Sequence, residues 1–154
     1  MGLVTTSSEN LFVESPETVY DFVSNPNNWI ETYDGCDYVG ELGELPLQVG
    51  DKWKEGLEGG GYFTWQLAIA TRPTIWEINS VGRLGHDCDG IGGMEGRITI
   101  QYRFTKPEPE RTLFARTMTI ELPKHVAAPD EFFAITNPAK IYRFYTAVAR
   151  QLAR

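Results

Sequence analysis

Arg116 lies in a strand-like run whose alternate residues are apolar. In Thr112–Leu122, strand alternation puts Arg116 on the same face as Phe114 and Met118, and this face is the more hydrophobic of the two. The sequence therefore predicts that it faces the interior. An arginine there either pairs with an internal carboxylate or meets an anionic or carbonyl group of a ligand, because an unpaired buried charge is costly. Both interpretations stay open.

Glu55 is the carboxylate that the pattern offers as a partner. The run Asp51–Glu58 places Trp53, Glu55 and Leu57 on one face. If this face points inward, Glu55 pairs with Arg116 or acts as a general base away from bulk water. If the strand is an edge, the same carboxylate lies in solvent.

Aromatic residues recur in the other strand-like runs and in the last helical segment. At such positions they most often form core, but their concentration also favours a planar or aromatic ligand, which their rings stack against and their hydroxyls orient. The residues predicted to contact that ligand are Trp53, Trp65, Tyr102, Phe114, Met118, Tyr142 and Tyr145.

His86 begins the densest group of acid–base residues, His86-Asp87-Cys88-Asp89. Consecutive residues rarely converge on one ion, and the sequence has no His-x-x-x-His or Cys-x-x-Cys, so no metal site is predicted. His86 is a candidate general acid or base at a cavity mouth, because imidazole exchanges protons near neutral pH. A solvent-exposed turn is the alternative. No nucleotide fingerprint or phosphate loop occurs, and no cofactor is predicted.

The composition argues against several classes of partner. The 154 residues carry a formal net charge of −7, so a nucleic acid or an anionic membrane surface would repel them. Without a signal-peptide pattern or a run of ~18 apolar residues, we expect a cytoplasmic protein with no membrane insertion. Cys36 and Cys88 are too few for a disulfide framework. The length suits a single domain, 1–154.

The elements that must position these residues begin with a strand at Glu9–Glu14, followed by a helix with Ser15 as N-cap and Pro16 at its first position. Trp29–Tyr33 reads as a second helical turn. Six sequential runs of period two follow and predict an antiparallel meander. They are Asp37–Leu42, Asp51–Glu58, Tyr62–Thr71, Thr74–Val81, Gly96–Thr105 and Thr112–Leu122.

The last predicted element is an amphipathic helix from Asn137 to Gln151, with Ile141, Tyr145 and Val148 on one side. A curved sheet must cover its inner face, and only this helix is long enough to do so. The sequence therefore predicts an α+β domain in which a cavity lies between the helix and the sheet.

Three motifs add a family resemblance. They are Ser-Pro-Glu-Thr-Val-Tyr-Asp-Phe-Val-Ser-Asn-Pro-Asn-Asn-Trp at 15–29, Leu47-x-x-Gly50-Asp51-x-Trp53, and Pro73-Thr74-Ile75-Trp76-Glu77. With the order of elements, they resemble the START-like or Bet v 1-like (SRPBCC) superfamily, in particular its polyketide cyclase/dehydrase and lipid-transport branch. The resemblance implies a helix-grip fold, in which six to seven antiparallel strands curve around a long C-terminal helix. The segment Gly82 to Gly96 departs from it by being longer and more polar.

The resemblance implies a cavity for a hydrophobic, aromatic or polyketide-like molecule and cofactor-free cyclisation, dehydration or related proton transfer. Arg116 would anchor or polarise a carbonyl or carboxylate, the tyrosine hydroxyls would orient the ligand, and Glu55 or His86 would move protons. A non-catalytic carrier of a hydrophobic metabolite and a chaperone-like interaction module are alternatives, and the sequence leaves a homodimer open.

Overall fold

The computed structural model describes residues 2–86, 92–127 and 137–154. Its strands are β1 (Gly2–Phe12), β2 (Cys36–Gly40), β3 (Lys52–Leu57), β4 (Tyr62–Thr71), β5 (Ile75–Val81), β6 (Leu84–His86), β7 (Gly92–Met94), β8 (Arg97–Thr105) and β9 (Thr112–Leu122). Its helices are α1 (Pro16–Val23), α2 (Trp29–Thr32) and α3 (Pro138–Leu152), and a 3-10 turn, Pro26–Asn28, joins α1 to α2.

Seven strands form one curved antiparallel sheet in the order β1-β9-β8-β5-β4-β3-β2. β1, the first strand of the chain, forms one edge of this sheet. It pairs with β9 along its length, with Gly2 opposite Leu122 and Phe12 opposite Thr112. Every second residue of β9 is buried, as strand alternation predicts. The predicted helix-grip architecture, with six to seven strands, is confirmed.

The helix starts follow the predicted capping chemistry. The Ser15 side chain accepts a hydrogen bond from the Thr18 amide, and Asn137 accepts one from Ala139 at the start of α3. Such caps satisfy amides that have no partner within the helix. α3 then lays its apolar side on the sheet, where the Tyr145 ring lies 5.8 Å from the ring of Phe114 in β9.

The four tryptophans meet in the core beneath α2. The Trp29 ring centroid lies 6.0 Å from that of Trp53 and 6.4 Å from those of Trp65 and Trp76, all in edge-on geometry. An isolated helix of four residues has no stability of its own. Trp29 therefore fixes α2, and the residues that follow it, against the sheet.

Two regions of the chain differ clearly from the sequence-based expectation. β1 begins at Gly2 rather than Glu9, because its polar first half gains its structure from pairing with β9 rather than from an apolar face. The segment Gly82 to Gly96 contributes the separate β6–β7 hairpin. Within the described ranges, no helix has the length and apolar character needed to span a membrane.

Candidate functional site

A cavity of about 340 Å³ lies between the sheet, the end of α2 and the start of α3. This is within the ~300–1,000 Å³ typical of small-molecule sites. Its walls are largely apolar, and its polar side chains come from separate elements. The apolar residues are Trp29, Leu57, Phe63, Trp65, Ile98, Ile100, Met118 and Ile141.

A second depression, of about 480 Å³, lies on the loop between β2 and β3. Charged side chains such as Glu41, Glu44 and Lys52 line it, and this loop is largely exposed. It lacks the apolar walls that favour small organic ligands. The chemistry therefore points to the cavity beneath α3.

Arg116 reaches the cavity from β9 and is 6% exposed. Its Nε donates a hydrogen bond to Tyr33 Oη at 3.1 Å, and its guanidinium carbon lies 5.5 Å from the centre of that ring. Tyr33 Oη is in turn hydrogen-bonded to Tyr102 Oη. We call Arg116, Tyr33 and Tyr102 the arginine cluster. Its hydroxyls stay protonated at neutral pH, because burial raises the pKa of both tyrosines.

No ion pair joins Arg116 to a carboxylate among the residues that the structure describes. The Arg116–Glu55 pair, one of the two interpretations of the sequence, is therefore not formed. Both side chains face the cavity, but Glu55 is oriented by a different partner. Among the described residues, the guanidinium has hydroxyl and ring contacts in place of a counter-charge.

Glu55 is held on the wall by Trp65, which lies on the neighbouring strand β4. The carboxyl is 8% exposed and its Oε1 accepts a hydrogen bond from Trp65 Nε1 at 3.0 Å. Burial raises the pKa of Glu55, and the hydrogen bonds from Trp65 and Cys36 and the charge of Arg116 offset this only in part. Such a carboxyl exchanges protons closer to neutral pH than an exposed glutamate does.

Cys36 lies beside Glu55 on the same wall and is not a nucleophile. Burial, followed by the negative charge of Glu55, raises the pKa of the thiol to about 12. A thiol attacks only as its thiolate, so Cys36 is unreactive at neutral pH. Elsewhere too, the described residues contain no group of three His, Cys, Asp or Glu side chains placed to hold a metal ion.

The predicted ligand contacts divide into two sets. Trp65, Tyr102 and Met118 line the cavity. Trp53, Phe114 and Tyr145 point inward as expected but form packed core behind it. Tyr145, for example, contacts the Phe114 ring, and its hydroxyl bonds to Ser8 Oγ at 2.6 Å. These three residues support the wall and do not touch the space within it.

Tyr142 corrects the sequence-based expectation, because its side chain is 69% exposed. Ile141 and Tyr145 occupy the inner side of α3, and successive helical residues are rotated by about 100°. Tyr142 is thereby turned outward and cannot orient a ligand.

His86 is the last residue of β6. Its side chain and the whole of Asp87–Asp89 lie outside the described part of the structure, so its acid–base role stays a prediction.

Tyr33 lines the cavity and is a candidate site residue that the sequence reasoning missed. It follows Trp29 by four positions, and the two rings meet edge-on with centroids 5.7 Å apart. Its other face stacks on Phe144 of α3 at 4.2 Å. The i, i+4 aromatic spacing was the available signal, because residues so spaced share one helix face.

No protein-family model matches the chain, and no curated protein matches its sequence. Solved structures do match it. A START superfamily protein from Mycobacterium smegmatis is 10% identical with a TM-score of 0.70, over 97% of each chain. Norcoclaurine synthase from Thalictrum flavum, solved with dopamine and hydroxybenzaldehyde, is 8% identical with a TM-score of 0.69, over 99% of this chain and 87% of that one. Zhui aromatase/cyclase from Streptomyces sp. R1128 is 13% identical with a TM-score of 0.69, over 99% and 95%.

Structural similarity over this much of the chain, at such low sequence identity, shows the fold but not the chemistry, because one fold hosts many functions. The match runs over nearly the whole chain and agrees with the strand order and the helix positions described above. The chain has the helix-grip fold of the START-like, Bet v 1-like (SRPBCC) superfamily.

Proposed function

We propose that the protein binds a small aromatic molecule in the cavity and moves a proton on it without a cofactor. The observation that carries this proposal is that Arg116 and Glu55 share one largely apolar cavity without forming an ion pair. Buried charges usually neutralise each other directly, since leaving them unpaired is unfavourable. Groups held apart in this way are available to a ligand placed between them.

The arginine cluster supplies the anchor. Its hydrogen-bond donors can hold a carbonyl oxygen and stabilise negative charge that develops there. Polarising a carbonyl makes the adjacent carbon more acidic, and Glu55 offers a buried carboxyl to take up and return that proton. Cyclisation and dehydration of aromatic or polyketide-like compounds both contain such proton transfers. His86 is a second candidate for this role.

The neighbouring structures support the choice of ligand class. The Thalictrum flavum enzyme was solved with two aromatic compounds, and the Streptomyces protein is an aromatase/cyclase. In this chain, Trp29, Phe63 and Trp65 give the cavity aromatic walls. Ring faces and edges of this kind favour a planar aromatic ligand over a flexible aliphatic one.

Binding is tested first by native mass spectrometry of the freshly purified protein, which reveals a co-purified ligand by its mass. Titration with aromatic ketones and phenols, followed by tryptophan fluorescence, then measures affinity, since Trp29 and Trp65 line the cavity. Ile100→Phe adds a ring to the cavity wall and should weaken binding, whereas Tyr142→Phe changes only an exposed ring and should not. Equal affinities for both variants and the wild type would contradict the proposed site.

Proton transfer is tested by following deuterium uptake from D2O at the carbon next to the carbonyl of 2-tetralone, using NMR. The wild-type protein should accelerate the exchange, and Glu55→Gln should not, although the glutamine can still accept the Trp65 hydrogen bond. A non-catalytic carrier is the second candidate, favoured by the predominance of apolar residues in the walls. Tight binding with no accelerated exchange in the wild type identifies the carrier.

A further inference from the structure

Two arginines of this chain use the same edge of the guanidinium group for different purposes. Arg72 grips both carboxylate oxygens of Asp21 through Nε and Nη2, at 2.7 and 2.9 Å. This is the usual bidentate geometry for a carboxylate. In Arg116 the same two nitrogens are occupied, since Nε donates to Tyr33 Oη and Nη2 lies 4.0 Å from Met118 Sδ.

A carboxylate ligand therefore cannot bind Arg116 through the Nε edge, as Asp21 binds Arg72, and would have to use the end formed by Nη1 and Nη2. Arg116 also hydrogen-bonds to Tyr102, and no carboxylate of a described residue pairs with its remaining hydrogens. An oxygen atom of a ligand at this end of the guanidinium would lie beside the hydroxyls of Tyr33 and Tyr102, which add donors for that one oxygen.

The two hydroxyls of the arginine cluster add one more donor. Tyr33 Oη accepts from Arg116 Nε and shares one hydrogen bond with Tyr102 Oη. One hydroxyl proton lies in that shared bond, whichever tyrosine donates it. The other proton is left without an acceptor among the described residues, so the cluster presents donors.

The titratable groups that interact with Arg116 within the described ranges do not pair with it as a counter-ion. They are Tyr33 after α2, Tyr102 on β8, Tyr145 on α3 and Glu55 on β3. Burial is the main cause that raises the pKa of each of these groups, to about 12 for Tyr145. The phenols are therefore neutral, and the Glu55 carboxyl is directed to Trp65 rather than to Arg116.

We propose that the arginine cluster binds a single anionic oxygen, so that the ligand is a phenol, or the enol of an aromatic ketone, held as its oxyanion. The proposal rests on the proposed function, because it specifies which aromatic molecules the cavity selects. A positive guanidinium surrounded by donors stabilises an oxyanion more than a neutral hydroxyl or ether. Bound ligand should accordingly ionise at lower pH than free ligand.

Three probes test this with the wild-type protein. 4-Nitrophenol changes its absorbance when it ionises, 4-nitroanisole has the same ring but cannot ionise, and 4-nitrobenzoate carries a two-oxygen anion. We expect the apparent pKa of bound 4-nitrophenol to fall by about one to three units, as for an acid placed beside a cation. We also expect the phenolate to bind more tightly than either of the other probes.

Variants assign the effect to the arginine cluster. Arg116→Met should abolish the shift in the 4-nitrophenol pKa, and Tyr33→Phe should reduce it. Tyr142→Phe, the matched change at an exposed tyrosine, should leave it unchanged. If Arg116→Met does not fold, the wild-type probe comparison and Tyr33→Phe still decide.

Each outcome separates this proposal from the proposed function. If 4-nitrophenol and 4-nitroanisole bind equally and the phenol titrates as in solution, the oxyanion site is wrong while the aromatic cavity stands. Tighter binding of 4-nitrobenzoate than of 4-nitrophenolate overturns the single-oxygen geometry. Failure of all three probes to bind contradicts both proposals.

Discussion

Two of the arginine–carboxyl couples in the described part of the chain differ in how they are joined. Arg72, just after β4, and Asp21 in α1 form a bidentate ion pair, although both side chains are more than half exposed. Arg116 and Glu55 are buried in one cavity, where the attraction between opposite charges is strongest, and yet they form no pair. The exposed couple links two elements, whereas the two members of the buried couple remain apart, so both can interact with a ligand in the cavity that they line.

The largest effect that separates the two couples is expected from their carboxyl groups. Glu55→Gln should lower the rate of deuterium exchange into 2-tetralone by about 10²- to 10⁴-fold, the usual contribution of a general base. Asp21→Asn breaks the exposed pair and should leave this rate unchanged. Equal rates for the wild type and Glu55→Gln would exclude Glu55 as the proton carrier.

The next largest effect is expected when the arginines of the two couples are replaced and ligand affinity is measured. Arg116→Met should weaken 4-nitrophenolate binding by ~1.5–3 kcal/mol, as expected for a hydrogen bond to a charged group. Its melting temperature should change little, because no buried carboxylate loses its partner. Arg72→Met serves as the control and should bind normally. A large loss of melting temperature in Arg116→Met, with binding intact, would show a structural arginine instead.

Tyr33 accepts the hydrogen bond of Arg116 Nε, and no described carboxylate pairs with that arginine, so removal of the Tyr33 hydroxyl should lower stability. Tyr33→Phe leaves Arg116 Nε without its acceptor and should lower the free energy of unfolding by ~1–3 kcal/mol. Urea denaturation measures this, with Tyr142→Phe as the matched variant. Identical stabilities for the two variants would mean that the hydrogen bond contributes nothing.

A smaller effect concerns the pH dependence of stability. Because burial raises the pKa of Glu55 in the folded protein, the folded state binds this proton more tightly than the unfolded state does. The wild type should therefore lose stability relative to Glu55→Gln as the pH rises from the ordinary glutamate pKa through the folded one. The loss should be ~1.4 kcal/mol for each unit of pKa difference. Denaturation of both proteins over this pH range measures it, and a constant difference would contradict the raised pKa.

Residues on long strands were predictable from the sequence. Arg116 and Glu55 lie on β9 and β3, whose period-two pattern fixes the inward face once one side of the sheet is buried. The pattern gives the face of a residue and not its depth. Trp53 and Phe114 point inward yet lie behind the cavity, because Trp29 of α2 packs against Trp53 and Phe144 of α3 packs against Phe114.

Tyr33, in contrast, has a position that the sequence pattern did not predict. α2 has four residues, Trp29–Thr32, too few for a full hydrophobic period, so the only signal was the single i, i+4 pair of Trp29 and Tyr33. Its placement comes from the packing of Trp29 on three other tryptophans that are distant in sequence. The first half of β1 was missed for a similar reason, since only pairing with β9 makes it a strand.

The pairing of β1 with β9 also bears on how the protein assembles. These strands come from opposite ends of the sequence, whereas β3–β4–β5 and β8–β9 are local hairpins. Contacts distant in sequence form slowly, because the intervening chain must first be ordered. Arg116 lies opposite Ser8 in that pairing, so the ligand site should mature in the last folding step. A growing chain would thus expose its sheet edge before it can bind anything, and an aromatic ligand added during refolding should be captured only in the slowest phase.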